Sequence, residues 1–371
     1  MSDADLRRQS RYTWMLVAFS ALAIFFMAQQ SRAGMFYYAS EIGLTVNGSN
    51  NYYDLQGNPT ANADFQGQNL GNYNLLGGSS LTLFGTKVYV YRDNGGDYIN
   101  TNNTQTIYWD AWQTGSANSF TGAQILSGGP SGSTTAYLGG SNFSGQNYNM
   151  NVNIASEITQ SGSWNVGFYI YGNASYDSGG QKYYNMNNYS NNGGSNFVAT
   201  ITAFYGATTT ATQAAAFTGS GYFNFNGSGQ TYTLNAANTY TGQTQIDAGT
   251  VSITSTGSLS SSSMVYLGSG GNSSNAGLTL AGTTTFGNTL QVNQNNGSGT
   301  RTITKSDATS QTMSGAITLN QLTSFDVASG GTLTLSGVVG GTNSFTKIGS
   351  GTMILSGSSA NTFSAGNVTV S

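Results

Sequence analysis

The sequence predicts an all-β protein, a β-sandwich followed by a parallel β-helix. Three observations predict it. Apolar and polar residues alternate with period two in many short segments, as half-buried strands do. Clusters of Gly, Asn and Ser separate those segments, and these residues supply turns with φ above zero. No segment shows a helical period. The aromatic share of 12%, with 23 Tyr and 18 Phe, suits pleated surfaces and sets the chain apart from disordered sequences, which are poor in aromatics.

Composition narrows the chemistry. Only 6% of the 371 residues are charged, against roughly 25% in an average soluble domain, and 52 are glycine. There is no histidine and no cysteine. That excludes an imidazole base, Ser-His or Cys-His nucleophiles, His-ligated metal, disulfides and zinc-thiolate sites. With 10 Lys and Arg in the whole chain, a basic patch for nucleic acid is not expected. Neutral Asn, Gln, Ser and Thr supply the surface polarity, a pattern of extracellular structural proteins.

Residues 1–33 read as a signal peptide. Arg7-Arg8-Gln9-Ser10-Arg11 precede an apolar run from Trp14 to Met27, shorter than the about 20 residues of a membrane span. Ser31-Arg32-Ala33 place small residues at −3 and −1 of a cut before Gly34. An uncleaved anchor is the alternative. The polar residues after Arg7-Arg8 favour the general secretory pathway over a twin-arginine route. Without Asp3, Asp5, Arg7, Arg8, Arg11 and Arg32, the 13 acidic and 10 basic residues become 11 and 6, net −5.

Residues 34–205 read as the sandwich. Leu81-Thr82-Leu83 leads into Lys87-Val88-Tyr89-Val90-Tyr91, followed by Thr106-Ile107-Tyr108-Trp109 and Asn149–Ile154. Trp164–Tyr171 and Phe197–Thr202 complete the set. Each has one apolar face, as sheets with one buried face require. Residues 206–220 lack large side chains over the Ala/Thr-rich stretch Ala207–Ala216 and read as a linker.

Residues 221–371 change texture. Short pieces alternate with Gly/Ser/Asn turns: Tyr232–Leu234, Val251–Ile253, Val265–Leu267, Leu278–Leu280, Leu290–Val292, Ile317–Leu319, Leu333–Leu335, Met353–Leu355 and Val368–Val370. Starts between 251 and 290 fall 14, 13 and 12 residues apart. Coils of about 20 residues rising near 4.8 Å would give about seven coils over roughly 35 Å. A second sandwich of regular hairpins is the alternative. Direct repetition favours the solenoid: Thr233-Leu234-Asn235-Ala236-Ala237-Asn238-Thr239-Tyr240-Thr241-Gly242 recurs, two residues longer, from Ile354-Leu355 through Asn361-Thr362-Phe363-Ser364.

These stretches resemble the autotransporter-associated β-strand repeat, whose pattern runs approximately L-T-K-x-G-x-G-T-L-x-L-S-G-x-N-T-Y-x-G-x-T-x-I-x-A-G-T-L. The resemblance is good over Phe345–Phe363 and Thr231–Val251 and diffuse between them. It implies a right-handed parallel β-helix outside a Gram-negative-type cell, often in adhesin-like passengers. The membrane β-barrel that ends a true autotransporter is not seen before Ser371, where the chain stops inside a repeat, so the repeat region reads as truncated. The N-terminal part is similar, more weakly, to an uncharacterised β-sandwich module of secreted bacterial proteins, through Asn69–Leu75, Ser80–Leu83 and Asn192–Thr202.

Two clusters are candidate sites. Asp93-Asn94-Gly95-Gly96-Asp97 sets two carboxylates around a Gly-rich turn, suited to Ca²⁺ through Asp93 and Asp97, with a plain hairpin turn as the alternative. No other cofactor is expected. Trp109-Asp110-Ala111-Trp112 places a carboxylate between two indoles that could stack on a glycan ring, with Trp109, Asp110 and Trp112 as ligand-binding residues. From Gly221 onward only Asp247, Asp307 and Asp326 are acidic and only Arg301, Lys305 and Lys347 basic, too scattered for a polysaccharide-active groove. The expected function is therefore non-enzymatic: an exported cell-surface, outer-membrane or matrix protein, adhesin-like, its solenoid presenting the sandwich. A lectin-like module on a solenoid stalk is the alternative. Expected partners are surface glycans or further copies of the chain, since unprotected solenoid edges invite pairing.

Overall fold

The computed structural model describes residues 35–371 apart from 56–61, 93–97, 100–103, 119–141, 179–180, 191–195, 262, 269–272, 294–298 and 364–367. The chain is all-β and ends in a parallel β-solenoid of about seven coils.

The N-terminal strands, in chain order, are β1 (Met35–Val46), β2 (Ser49–Asp54), β3 (Ala63–Asp64), β4 (Asn69–Asn74), β5 (Leu81–Arg92) and β6 (Tyr98–Ile99). They continue with β7 (Thr104–Gln113), β8 (Asn142–Asn153), β9 (Gly162–Ser178), β10 (Gln181–Ser190) and β11 (Phe197–Ala207). One sheet has the order β3-β2-β1-β5-β8. In the other, β9 is central: β6 and β7 pair along one edge, β10 and β11 along the other, and β4 adds in parallel outside β11. Asn47 and Gly48, both at positive φ, make the tight turn that closes Val46 on Ser49. Ile42, Leu44 and Leu83 of the first sheet meet Trp109, Val166, Phe168 and Ile201 of the second in one buried cluster. Phe65 caps it edge-to-face on Phe168, ring centroids 5.3 Å apart.

The solenoid strands are β12 (Ala211–Thr212), β13 (Phe223–Leu234), β14 (Thr244–Ile253), β15 (Val265–Leu267), β16 (Ala276–Leu280) and β17 (Leu290–Val292). Next come β18 (Arg301–Lys305), β19 (Ser310–Met313), β20 (Ile317–Leu319), β21 (Thr323–Val327) and β22 (Thr332–Leu335). The last are β23 (Val339–Gly341), β24 (Phe345–Ile348), β25 (Thr352–Leu355), β26 (Thr362–Phe363) and β27 (Thr369–Val370). All pairs are parallel. One face stacks the first halves of β13 and β14 on β15, β17, β20, β23 and β26. A second stacks β12 and the second halves of β13 and β14 on β16, β18, β21, β24 and β27. A third runs β19-β22-β25.

Every short apolar piece read from the sequence lies on one of these strands, save that Val368 falls just before β27, but the spacing has a different meaning. Val251 and Leu278 belong to the second face, Val265 and Leu290 to the first. Steps of 14, 13 and 12 therefore alternate between faces, and two steps make one coil. On the first face Tyr205, Phe223, Thr244, Val265, Leu290, Ile317 and Val339 stack in register, at offsets of 18, 21, 21, 25, 27 and 22 residues. The coil has no fixed length because the corners between strands absorb extra residues.

The expected linker at 206–220 is corrected. β11 pairs with β9 through Phe197–Ala203 and with β13 through Tyr205–Ala207, so one strand belongs to both parts. Past it, Ala211 and Thr212 pair with Tyr232 and Thr233, and Phe217 is buried against Tyr205, their rings stacked 4.1 Å apart. The Tyr205 hydroxyl donates to the Thr218 carbonyl at 3.2 Å and accepts from its N–H at 3.0 Å. These residues form the cover of the first coil.

The recurrent Asn-Thr-aromatic motif has one role in both copies. Asn238 Oδ1 accepts from the Phe217 N–H at 2.7 Å, and Asn361 Oδ1 accepts from the Val339 N–H at 2.8 Å, each reaching back one coil. Tyr240 and Phe363, two residues on, both pack on the solenoid core. The Gly of Ala248-Gly249-Thr250 is fixed by its φ of +79° and by a Cβ position only 1.9 Å from the Gly227 carbonyl oxygen.

Candidate functional site

The two clusters nominated by the sequence fare differently. Asp93 and Asp97 lie outside the described residues. On β7 the alternation of a strand decides the rest. Trp109, with 4% exposure, is a core residue of the sandwich, and its indole N–H has no partner among the described residues. Trp112, an odd number of residues away, faces outward with Asp110. The structure thus does not bring Trp109 and Trp112 together, and no clamp of two indoles forms. Trp164 of β9 is likewise buried and donates to the Gln160 carbonyl at 2.9 Å.

What the outward face of β7 does carry is Tyr108, Asp110 and Trp112, all half-buried. Tyr108 lies opposite Tyr169 of β9, and the two rings stack 4.3 Å apart, 9° from parallel. Asp110 lies opposite Gly167, and Trp112 opposite Asn165. Asp110 thus lies between Tyr108 and Trp112 in the order of that face, across from a residue with no side chain. A neutral groove of about 720 Å³ lies at the junction of the two parts, walled by Leu75, Tyr205, Ala207, Phe217 and Tyr232 among others.

In the solenoid the structure places charge where composition gave no hint of it. Arg301, Lys305 and Lys347 all point inward, each on a strand whose alternate residues are core. Arg301 stacks between Ala276 and Thr323, Lys305 between Leu280 and Val327, and Lys347 on Phe325. Their polar ends find acceptors near the corners, except that Arg301 Nη2 is buried with no partner among the described residues. The Arg301 guanidinium donates from Nη1 to the Ser274 carbonyl at 2.8 Å and from Nε to that of Asn293 at 3.3 Å. Lys347 Nζ donates to the Gly349 carbonyl at 2.5 Å. Lys305 ion-pairs with Asp307 and also reaches the Thr309 hydroxyl at 3.0 Å. The signal was present in the sequence: Arg301, Ile303 and Lys305 share parity, and so do Phe345 and Lys347.

The acidic residues of the solenoid are separately placed. Asp247 accepts from Asn224 at 2.7 Å on the outer face of β14, and Asp326 lies on the outer side of β21. Desolvation alone would raise the Asp307 carboxyl. Hydrogen bonds from Lys305, from the Thr309 hydroxyl and from the backbone N–H groups of Gly282 and Thr309 outweigh it and hold the group well below the usual carboxylate range. Sequence reasoning also missed a carboxylate pair in the sandwich: Glu41 and Asp54 lie opposite each other on β1 and β2, and both are buried. Among the described residues no three His, Cys, Asp or Glu are grouped to hold a metal ion, and no helix is long and apolar enough to cross a membrane.

No family model matches the chain, and no curated protein or solved structure matches it.

Proposed function

We propose that this chain is an exported, non-catalytic surface or matrix protein of the autotransporter-associated-repeat kind, in which the solenoid holds the sandwich away from its anchorage. The observation that carries this reading is the shared strand β11, which joins sandwich and solenoid without a hinge. A packed solenoid interior with separately placed carboxylates suits a passive spacer better than a reaction groove. Protease treatment of intact cells that make the chain from its own leader tests it. Cleavage of the sandwich on intact cells, with residues 1–33 absent from the mature chain, is the expected result; protection until lysis would contradict it.

A second reading follows from the Tyr108–Tyr169 stack beside Asp110 and Trp112. Aromatic faces next to a carboxylate suit the C–H face and hydroxyls of a sugar, which makes the outer face of β7 and β9 a lectin-like surface. A glycan array with the whole chain and with Trp112→Ala tests it: hits lost in the variant support this surface, and unchanged hits contradict it.

A further inference from the structure

We infer that the side of the solenoid carries its own pocket for one neutral sugar ring, separate from the sandwich surface. The third face is discontinuous. Ala237 bridges to Ser258 and Phe286 bridges to Met313, but among the described residues no pairing joins Ser258 to Phe286. The two rungs lie 28 residues apart in sequence, in the stretch where the coils are longest. The gap opens a cavity of about 230 Å³. That is below the about 300–1,000 Å³ of sites for drug-sized ligands, and leaves room for a single ring.

The lining points to the ligand class. Leu259 and Phe286, each 5% exposed, form an apolar floor, and Ser258, Thr284, Thr285 and Gln311 surround it with hydroxyls and an amide. No side chain of the lining is charged. Gln311 is 5% exposed; its Nε2 donates to the Thr284 carbonyl at 2.8 Å, while its Oε1 is buried with no partner among the described residues. A buried acceptor without a donor is costly, and a ligand hydroxyl would satisfy it. The walls are held in advance: Asn288 Nδ2 donates to the carbonyls of Ser260 and Ser263, at 2.6 and 2.7 Å. Asn238 Nδ2 donates to that of Ser258 at 2.7 Å. An apolar floor under a ring of neutral donors and acceptors matches a sugar, which has an apolar C–H face and hydroxyls at its edge. It does not match an anion or a cation.

The test uses the whole chain and a panel of neutral methyl glycosides, with binding followed by saturation-transfer NMR and calorimetry. Thr285 is exposed at the rim, so Thr285→Trp fills the cavity from its mouth without replacing a core residue; Gln311→Met keeps the volume and removes the acceptor. Binding of at least one glycoside is expected, weakened by about tenfold or more in either variant and unchanged in Trp112→Ala. Should Thr285→Trp fail to fold, Gln311→Met decides alone. No binding by the parent chain, binding that survives both changes, or loss through Trp112→Ala instead would overturn the inference.

Discussion

Lys305, a fully buried cation in the solenoid wall, reaches out of its coil to pair with Asp307 at the corner two residues on. The pair explains how an inward strand tolerates an ammonium: the aliphatic stem fills the ladder between Leu280 and Val327, and only the charged tip meets polar groups. Asp307→Ala leaves that charge buried without its carboxylate and is expected to destabilise the chain by about 2–3 kcal/mol in denaturant unfolding. Lys305→Met in the same background should recover most of the loss, because a buried pair replaced by an apolar residue is often neutral. The Asp307 carboxyl is held low when folded, so its contribution is present above its unfolded value near 4 and is lost on acidification through the folded one. The Asp307→Ala chain should show less loss of stability with acid below about pH 4 than the parent. Its side chain is 36% exposed, so salt should shrink the difference.

Tyr240 gives the opposite end of the pH scale. Its buried phenol is pushed up to about 12 by desolvation, with hydrogen bonds to Thr244 and Ser263 acting the other way. Folding thus favours the neutral phenol. Stability from this residue is complete below the unfolded value near 10 and falls as pH rises toward 12. Phenolate absorbance during an alkaline titration should show one tyrosine that ionises together with unfolding. Tyr240→Phe should remove that late component and cost about 1 kcal/mol, the usual net value of a hydrogen bond such as that to the Thr244 hydroxyl.

Phe217 distinguishes a cover from a linker. It lies at 2% exposure under Tyr205 and beside Phe223 and Tyr232. Phe217→Ala is expected to cost about 3–5 kcal/mol in denaturant unfolding, as a large core deletion does. A residue in a flexible linker would change stability by less than about 0.5 kcal/mol.

The corner asparagines make a paired prediction. Asn238 is buried and also takes a hydrogen bond from Gln213, whereas Asn361 is exposed. Asn238→Ala should cost about 1–3 kcal/mol, since it leaves buried donors of Phe217 and Gln213 unmet. Asn361→Ala should cost less than about 1 kcal/mol by the same measurement.

Much of the solenoid was legible because Leu-x-Leu alternation survives any coil length: Leu278-Thr279-Leu280 and Leu333-Thr334-Leu335 read as strands from parity alone. Which strand stacks on which was not legible, because the offsets vary from 18 to 27 residues and corners hide the period. The stretch at 206–220 misled because Ala and Thr dominate it, while its fixing residue, Phe217, stacks on a tyrosine twelve positions earlier. Parity would have separated Trp109 from Trp112 and turned Lys305 inward. The cavity beside Gln311 needs the register of three coils before it can be seen at all.

The central claim is that sandwich and solenoid form one rigid body through β11. The chain has no cysteine, so spin labels at Thr114→Cys in the sandwich and Leu322→Cys on the solenoid report a single distance by pulsed electron paramagnetic resonance. Both positions are exposed. One narrow distance distribution is predicted. A broad distribution, with the labels sampling many separations, would contradict the claim and restore a flexible linker between the two parts.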